Sequence, residues 1–216
     1  MMFKDRKDAG RKLSERLAQE QWDQPVVFAI PRGGVPIGCE IARKLRAPLD
    51  LIIPRKLPVP YNPEAGFGAV APDGTIVLND DLVSQIGLDQ DEINSIAMAV
   101  LDEVQRRIRE YRLGPPIDPK GRDVIVVDDG LASGYTMIAA VRALKKKGPK
   151  KVVVAVPCSP RTSVERLEEE ADEVICLAVQ EQGSFAVASY YQKFPDLSDG
   201  EVLADLGTCT LVPPKS

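Results

Sequence analysis

Residues 124–136, Val-Ile-Val-Val-Asp-Asp-Gly-Leu-Ala-Ser-Gly-Tyr-Thr, constrain the fold more than any other stretch of this chain. Four consecutive β-branched residues, Val124 to Val127, suit a strand buried on both faces, as found inside a parallel sheet covered by helices. Two carboxylates follow at once, then a small-residue loop, then Met137, Val141 and Leu144 at helical spacing. This strand, loop, helix unit predicts an α/β domain that binds its ligand beyond the carboxyl end of the strand.

The loop's chemistry follows from its residue types. Ser133, Gly134 and Thr136 can surround an anion with main-chain N–H groups and two hydroxyls at the start of a helix, where unpaired donors and the helix dipole both favour negative charge. Asp128 and Asp129 cannot serve that same anion, because carboxylates only accept hydrogen bonds and would repel it. They must face hydroxyls or a cation. A ligand with a phosphate at one end and a vicinal diol nearby satisfies both halves, and a ribose 5-phosphate has that form. The plainer reading, a strand-end Asp pair that merely caps a helix, leaves the intervening Gly-Leu-Ala-Ser-Gly unexplained.

A second unit of the same kind lies upstream. The apolar run 26–30 leads into Pro31-Arg32-Gly33-Gly34 and then a helix from about residue 35 to 46. The glycines permit positive φ and close approach of a ligand, while Arg32 offers a fork for phosphate oxygens. A strand over 48–53 follows, then Pro54-Arg55-Lys56-Leu57-Pro58, where Arg55 and Lys56 stand at a strand's carboxyl end, positioned for phosphate or simply solvated in a basic turn. Residues 59–70 are rich in Pro and Gly and read as a loop, and Ala71-Pro72-Asp73-Gly74 as a hairpin turn into 75–78.

The remaining pattern is mostly scaffold. Ala9, Leu13 and Leu17 mark an amphipathic N-terminal helix with no evident chemistry. Asp89-x-x-Glu92 opens a long helix running to about Leu113, whose apolar stripe suits a core or a dimer interface. After the central unit come strands over 151–156 and 173–178. Between them Ser159 is read as an N-cap, with Pro160 at the first helical position, and Arg161 beside a possible acceptor. Residues 183–194 gather four of the ten Phe and Tyr residues, among them Phe185, Tyr190 and Tyr191, and Ser198-x-x-Glu201 caps a final helix.

Composition then excludes several classes. The chain contains no histidine, which removes Ser-His-Asp and Cys-His catalysis and His-bound zinc, so any metal must have oxygen ligands. Mg²⁺ suits such a set. A net charge of −4 with interspersed signs argues against a nucleic-acid partner. Cys39, Cys158, Cys176 and Cys209 show no Cys-x-x-Cys spacing, so they are expected as reduced thiols, and with no long apolar run the protein is expected in the cytoplasm, away from membranes.

The acidic pair followed by Ala132-Ser133-Gly134-Tyr135-Thr136 resembles the signature of the type I phosphoribosyltransferases, which use phosphoribosyl pyrophosphate (PRPP) as ribosyl donor. The resemblance implies that Asp128 and Asp129 hold the ribose hydroxyls and, with them, Mg²⁺, and that residues 132–136 hold the 5′-phosphate. It implies a pyrophosphate loop at Arg32, Gly33 and Gly34 with a cis peptide at Arg32-Gly33, a mobile loop within 59–70, and a hood over the acceptor. The expected architecture is an open, mainly parallel sheet with helices on both faces, a core over 1–180 and a C-terminal hood over 181–216. The expected activity is transfer of 5-phosphoribosyl to a nitrogenous acceptor, such as a nucleobase, by a homodimer. A PRPP- or nucleotide-sensing regulator with the same site is the alternative. A receiver-type phosphoacceptor domain would leave the phosphate loop unexplained.

Overall fold

The computed structural model describes residues 2–111 and 114–209. Its centre is a five-stranded parallel sheet in the order β2-β1-β6-β7-β8, formed by β1 (Val26–Ala29), β2 (Leu49–Leu51), β6 (Asp123–Val127), β7 (Lys151–Pro160) and β8 (Glu173–Gln180). A separate antiparallel sheet, β3-β4-β5, is built from β3 (Arg55–Val59), β4 (Asn62–Val70) and β5 (Ile76–Leu78).

The strands' two-residue period divides the interior into two layers. Val27, Ala29, Ile125, Val127 and Val153 face one side, packed with Leu13 of α1 (Arg6–Leu17) and with Ile37 and Ile41 of α2 (Gly34–Leu45). Val26, Phe28, Val124, Val126 and Val152 face the other, against Met137, Val141 and Leu144 of α5 (Tyr135–Lys145) and Leu167 of α6 (Arg161–Glu168). All five residues of β6 are buried, which accounts for its unbroken apolar run. A third cluster joins Leu57 and Phe67 of the small sheet to Ile93 and Ala97 of α4 (Gln90–Tyr111), which α3 (Asp80–Ile86) precedes.

Several local expectations hold. Asp89 and Glu92 cap α4 reciprocally, Asp89 N–H to Glu92 Oε2 at 3.0 Å and Glu92 N–H to Asp89 Oδ1 at 2.9 Å. Ser198 and Glu201 do the same for α7 (Asp199–Cys209). The expected last residues of α4, 112 and 113, lie outside the described residues.

Others need correction. Residues 59–70 are not loop: most of them form β4, paired with β3 through register shifts at Leu57/Pro58 and Pro58/Val59 and with β5 beyond the turn at 71–74. Pro63 is tolerated on β4 because β4 pairs with β5 only from Gly68 to Val70, which leaves that side of the strand unpaired at residue 63. Ser159 is not a helix cap; pairing with β8 keeps it extended opposite Val179, and Pro160 occupies the N-cap position of α6. The cis peptide falls at Pro31-Arg32, one bond earlier than expected. Cys39 on α2 and Cys209 at the end of α7 are joined in a disulfide although 170 residues apart, so these two are not free thiols. Cys158 is buried and Cys176 half-buried, and burial pushes their thiols up to about 12 and about 11. No helix among the described residues is long and apolar enough to cross a membrane.

Candidate active site

The strand order fixes where a ligand can sit. After β1 the chain moves outward to β2 and later returns to β6 on β1's other side, so the connections leaving β1 and β6 diverge and open a crevice between them. The two motifs singled out in the sequence are these two connections. Arg32 to Gly34 links β1 to α2, and Asp128 to Gly134 links β6 to α5.

The loops touch. A Cβ on Gly33 would lie 2.0 Å from Asp129 Oδ2, and one on Gly34 only 2.7 Å from the Val127 carbonyl. Gly33 itself has ordinary helical dihedrals (φ −61°), so glycine is required there for room and not for the positive φ anticipated from sequence. At Gly134 the requirement is reversed: φ is +83°, and the nearest atom to an added Cβ is 3.6 Å away. That residue turns the chain into α5. Among the described residues no acceptor takes the main-chain N–H groups of Ser133 to Thr136, which leaves the donor set of a helix N-terminus open. The loop is fixed from behind by Ser163, 1% exposed, whose hydroxyl donates to the Ala132 carbonyl at 2.6 Å, and by Arg166, which donates to the Ser133 carbonyl at 3.3 Å.

Asp128 accepts the main-chain N–H of Asp129 at 2.8 Å, and both carboxyls hold their protons above the usual carboxylate range. Burial is the first cause for each; the neighbouring Asp129 charge adds to the effect on Asp128. One cation opposes this, and it comes from the helix to which no chemistry had been given. Arg6 Nε donates to Asp129 Oδ2 at 2.7 Å, its NH1 to the Pro195 carbonyl at 2.7 Å, and its guanidinium lies 3.8 Å from the centre of the Phe194 ring. Its signal in the sequence was position: Arg6 shares a face with Ala9, Leu13 and Leu17, and a charge on the apolar face of a helix needs a buried partner.

The remaining candidates are dispersed. Arg32 is 3.7 Å from Asp199 of α7, whose carboxylate also accepts from the Tyr111 hydroxyl. Arg55 lies on β3, 3.5 Å from Glu103, and its pKa is lowered, first by burial and then by the surrounding arginines Arg107, Arg106 and Arg32. Glu103 is held down at about 2 by hydrogen bonds from Arg106 and Arg107. Lys56 donates to the Glu64 carbonyl at 2.6 Å. Arg161 makes a forked pair with Glu181 at 2.6 and 3.1 Å. Phe185 and Tyr190 form a tilted ring pair 5.4 Å apart, with the Tyr190 hydroxyl on Gln180 Oε1. Tyr191 is 6% exposed, packed between Phe3 and Phe194, and its hydroxyl donates to the Asp129 carbonyl at 2.6 Å, so its ring serves packing and its hydroxyl the acidic loop.

The chain is similar to several known proteins. A Mycobacterium tuberculosis protein provisionally named a phosphoribosyl transferase is 46% identical over 206 residues, covering 95% of this chain. The match takes in 46% of that relative, so the chain spans about half its length. The crystal structure of TT1426 from Thermus thermophilus is 40% identical and superposes with a TM-score of 0.80 over 97% of this chain and 99% of that one. A uracil phosphoribosyltransferase of an Exiguobacterium species is 42% identical over 65 residues, 30% of this chain and 31% of that protein. The signature described as Phosphoribosyl transferase domain matches residues 2–193, and the chain belongs to that family.

Proposed function

We propose that the protein transfers 5-phosphoribosyl from PRPP to a nitrogenous acceptor, a nucleobase in the simplest case, with release of pyrophosphate. The observation that carries this is the meeting of three groups in one crevice: the Asp128-Asp129 pair, the Arg32 loop packed on Asp129 through Gly33, and the open N-terminus of α5. In this reading the N–H groups and hydroxyls around Ser133 to Thr136 hold the 5′-phosphate, the acidic pair holds the ribose diol, and Arg32, Gly33 and Gly34 meet the pyrophosphate. Arg55 and Lys56, on the adjoining strand β3, would supply further positive charge toward the leaving group.

The C1′–oxygen bond to pyrophosphate breaks, a bond from the acceptor nitrogen to C1′ forms, and the acceptor gives up a proton. Positive charge develops on the ribose as the leaving group departs, so the chain's residues act by orienting the donor and neutralising pyrophosphate. Phe185 and Tyr190 would stack on a flat acceptor, with Arg161 released from Glu181 to border it.

The donor set suits Mg²⁺. Two adjacent carboxylates share one cation, Arg6, which leaves negative charge for a divalent ion to offset. No group of three or more acidic or Cys residues among the described residues could hold a metal, so the ion would take its other ligands from water and the donor's oxygens, as Mg²⁺ does. When bound to Asp128 and Asp129 it would neutralise charge on the departing pyrophosphate. The homodimer and the cytoplasmic setting belong to this same proposal.

The test is pyrophosphate release from PRPP and Mg²⁺ across a panel of purine and pyrimidine bases. Release that depends on one base supports the proposal. Silence across the panel, with PRPP binding intact, would instead identify a PRPP sensor.

A further inference from the structure

The N-terminal segment and residues 190–195 meet beside the acidic pair. Phe3 N–H donates to the Tyr190 carbonyl at 2.7 Å, Gln192 N–H to the Phe3 carbonyl at 2.8 Å, and Lys193 N–H to the Lys4 carbonyl at 3.0 Å. Two side chains of this strap then reach Asp129. The Tyr191 hydroxyl donates to its main-chain carbonyl, and Arg6 Nε to its carboxylate, each within 2.7 Å. Arg6 is only 8% exposed, and its side chain is used on three sides: the carboxylate, the Pro195 carbonyl and the Phe194 ring.

We propose that Arg6 is a positioning residue for the donor's ribose: it fixes the Asp129 carboxylate before the donor arrives and makes the joined N-terminal and 190–195 segments part of the donor site. The proposal rests on the assignment of Asp128 and Asp129 to the ribose diol. A carboxylate on a strand-end loop can rotate, and binding a diol then requires that rotation to be frozen. Arg6 freezes it in advance, which places the ordering cost in folding and not in binding. The bond also selects an oxygen. Oδ2 is engaged by Arg6 and lies against Gly33, so a hydroxyl approaches Asp129 through Oδ1. The N-terminal segment and residues 190–195 hold each other, so loss of either segment loosens Asp129, although neither carries a residue of the phosphate loop or the pyrophosphate loop.

The test is calorimetric titration of PRPP, ribose 5-phosphate and pyrophosphate into the full chain as wild type, Arg6→Ala, Arg6→Lys and Tyr191→Phe. Arg6→Ala is expected to weaken PRPP and ribose 5-phosphate at least tenfold while pyrophosphate stays within twofold, and Arg6→Lys to recover part of the loss by restoring one charged bond. Tyr191→Phe, which keeps the ring, is expected to weaken the same two ligands less. Losses of equal size for all three ligands would mark a structural role and overturn the proposal, as would unchanged ribose 5-phosphate binding by Arg6→Ala. Should Arg6→Ala fail to fold, Arg6→Lys and Tyr191→Phe carry the comparison, and wild-type ribose 5-phosphate affinity in both overturns it. Wild-type protein that binds neither ribose ligand refutes the donor-site assignment and this proposal together, whereas failure confined to the variants refutes this proposal alone.

Discussion

Gly33→Ala probes the contact between the two loops with a single methyl group. An ideal Cβ at this position would stand 2.0 Å from Asp129 Oδ2, 2.3 Å from its Cγ and 2.9 Å from Oδ1, so the carboxylate must retreat by about 1 Å to reach even the closest tolerated contact. The Arg6–Oδ2 bond is 2.7 Å long, and a shift of that size disrupts its geometry. Losing a hydrogen bond between charged groups costs about 1.5–3 kcal/mol. In a domain of this length that corresponds to a melting temperature lower by about 3–12 °C. The acidic pair is displaced as well, so PRPP affinity should fall by about 10- to 150-fold if the same energy is lost from binding. Differential scanning fluorimetry and calorimetry read the two effects. A Gly33→Ala protein with wild-type melting temperature and wild-type PRPP affinity would refute the contact on which the site is built.

Three further outcomes are expected. Gly134→Val places a β-branched residue at φ +83° and should abolish binding of ribose 5-phosphate and of nucleoside monophosphates, whereas Ser133→Ala and Thr136→Ala should each cost about 1.5–3 kcal/mol by calorimetry; undiminished nucleotide binding by Gly134→Val would make the loop a plain turn. Ser163→Ala removes the buried hydroxyl bonded to the Ala132 carbonyl and should weaken phosphate-bearing ribose ligands while lowering stability by about 1–3 kcal/mol in denaturant titration, and an effect on stability alone would separate Ser163 from the phosphate loop. Asp128 is held protonated above its ordinary value of 3.8, first by burial. The stability tied to that proton is fully present below the ordinary value and is lost as pH rises through the raised one. In metal-free buffer the melting temperature of the wild type should therefore fall relative to that of Asp128→Asn as pH rises above about 4, and parallel profiles would contradict the burial argument.

The centre of the fold and the site were legible because both are local in sequence. A four-residue β-branched run, two carboxylates and a small-residue turn sit within 13 consecutive positions, and a central parallel strand tolerates little else at 124–127. What was not legible depends on distant packing. Arg6 was passed over because its partner is 123 residues away, although its place on the apolar face of α1 carried a signal. The Cys39–Cys209 pair depends on α7 returning to α2, which no cysteine spacing could reveal. Proline and glycine over 59–70 suggested a loop, yet β4 accepts Pro63 where it has no β5 partner, and Gly68 lets β4 approach β5 so closely that a Cβ would meet the Val77 carbonyl at 2.3 Å. Glycine was recognised as necessary at Gly33, but the reason was contact with Asp129, a fact of tertiary structure.

The central claim is that Asp128 and Asp129 hold the donor's ribose. Calorimetric titration of PRPP with Mg²⁺ into the wild type and the Asp128→Asn, Asp129→Asn double variant tests it most directly. Both side chains project from the end of β6 and not from its buried body, so the double variant should remain folded. The account predicts PRPP binding by the wild type and its loss in the folded double variant. Wild-type affinity in the double variant would contradict it.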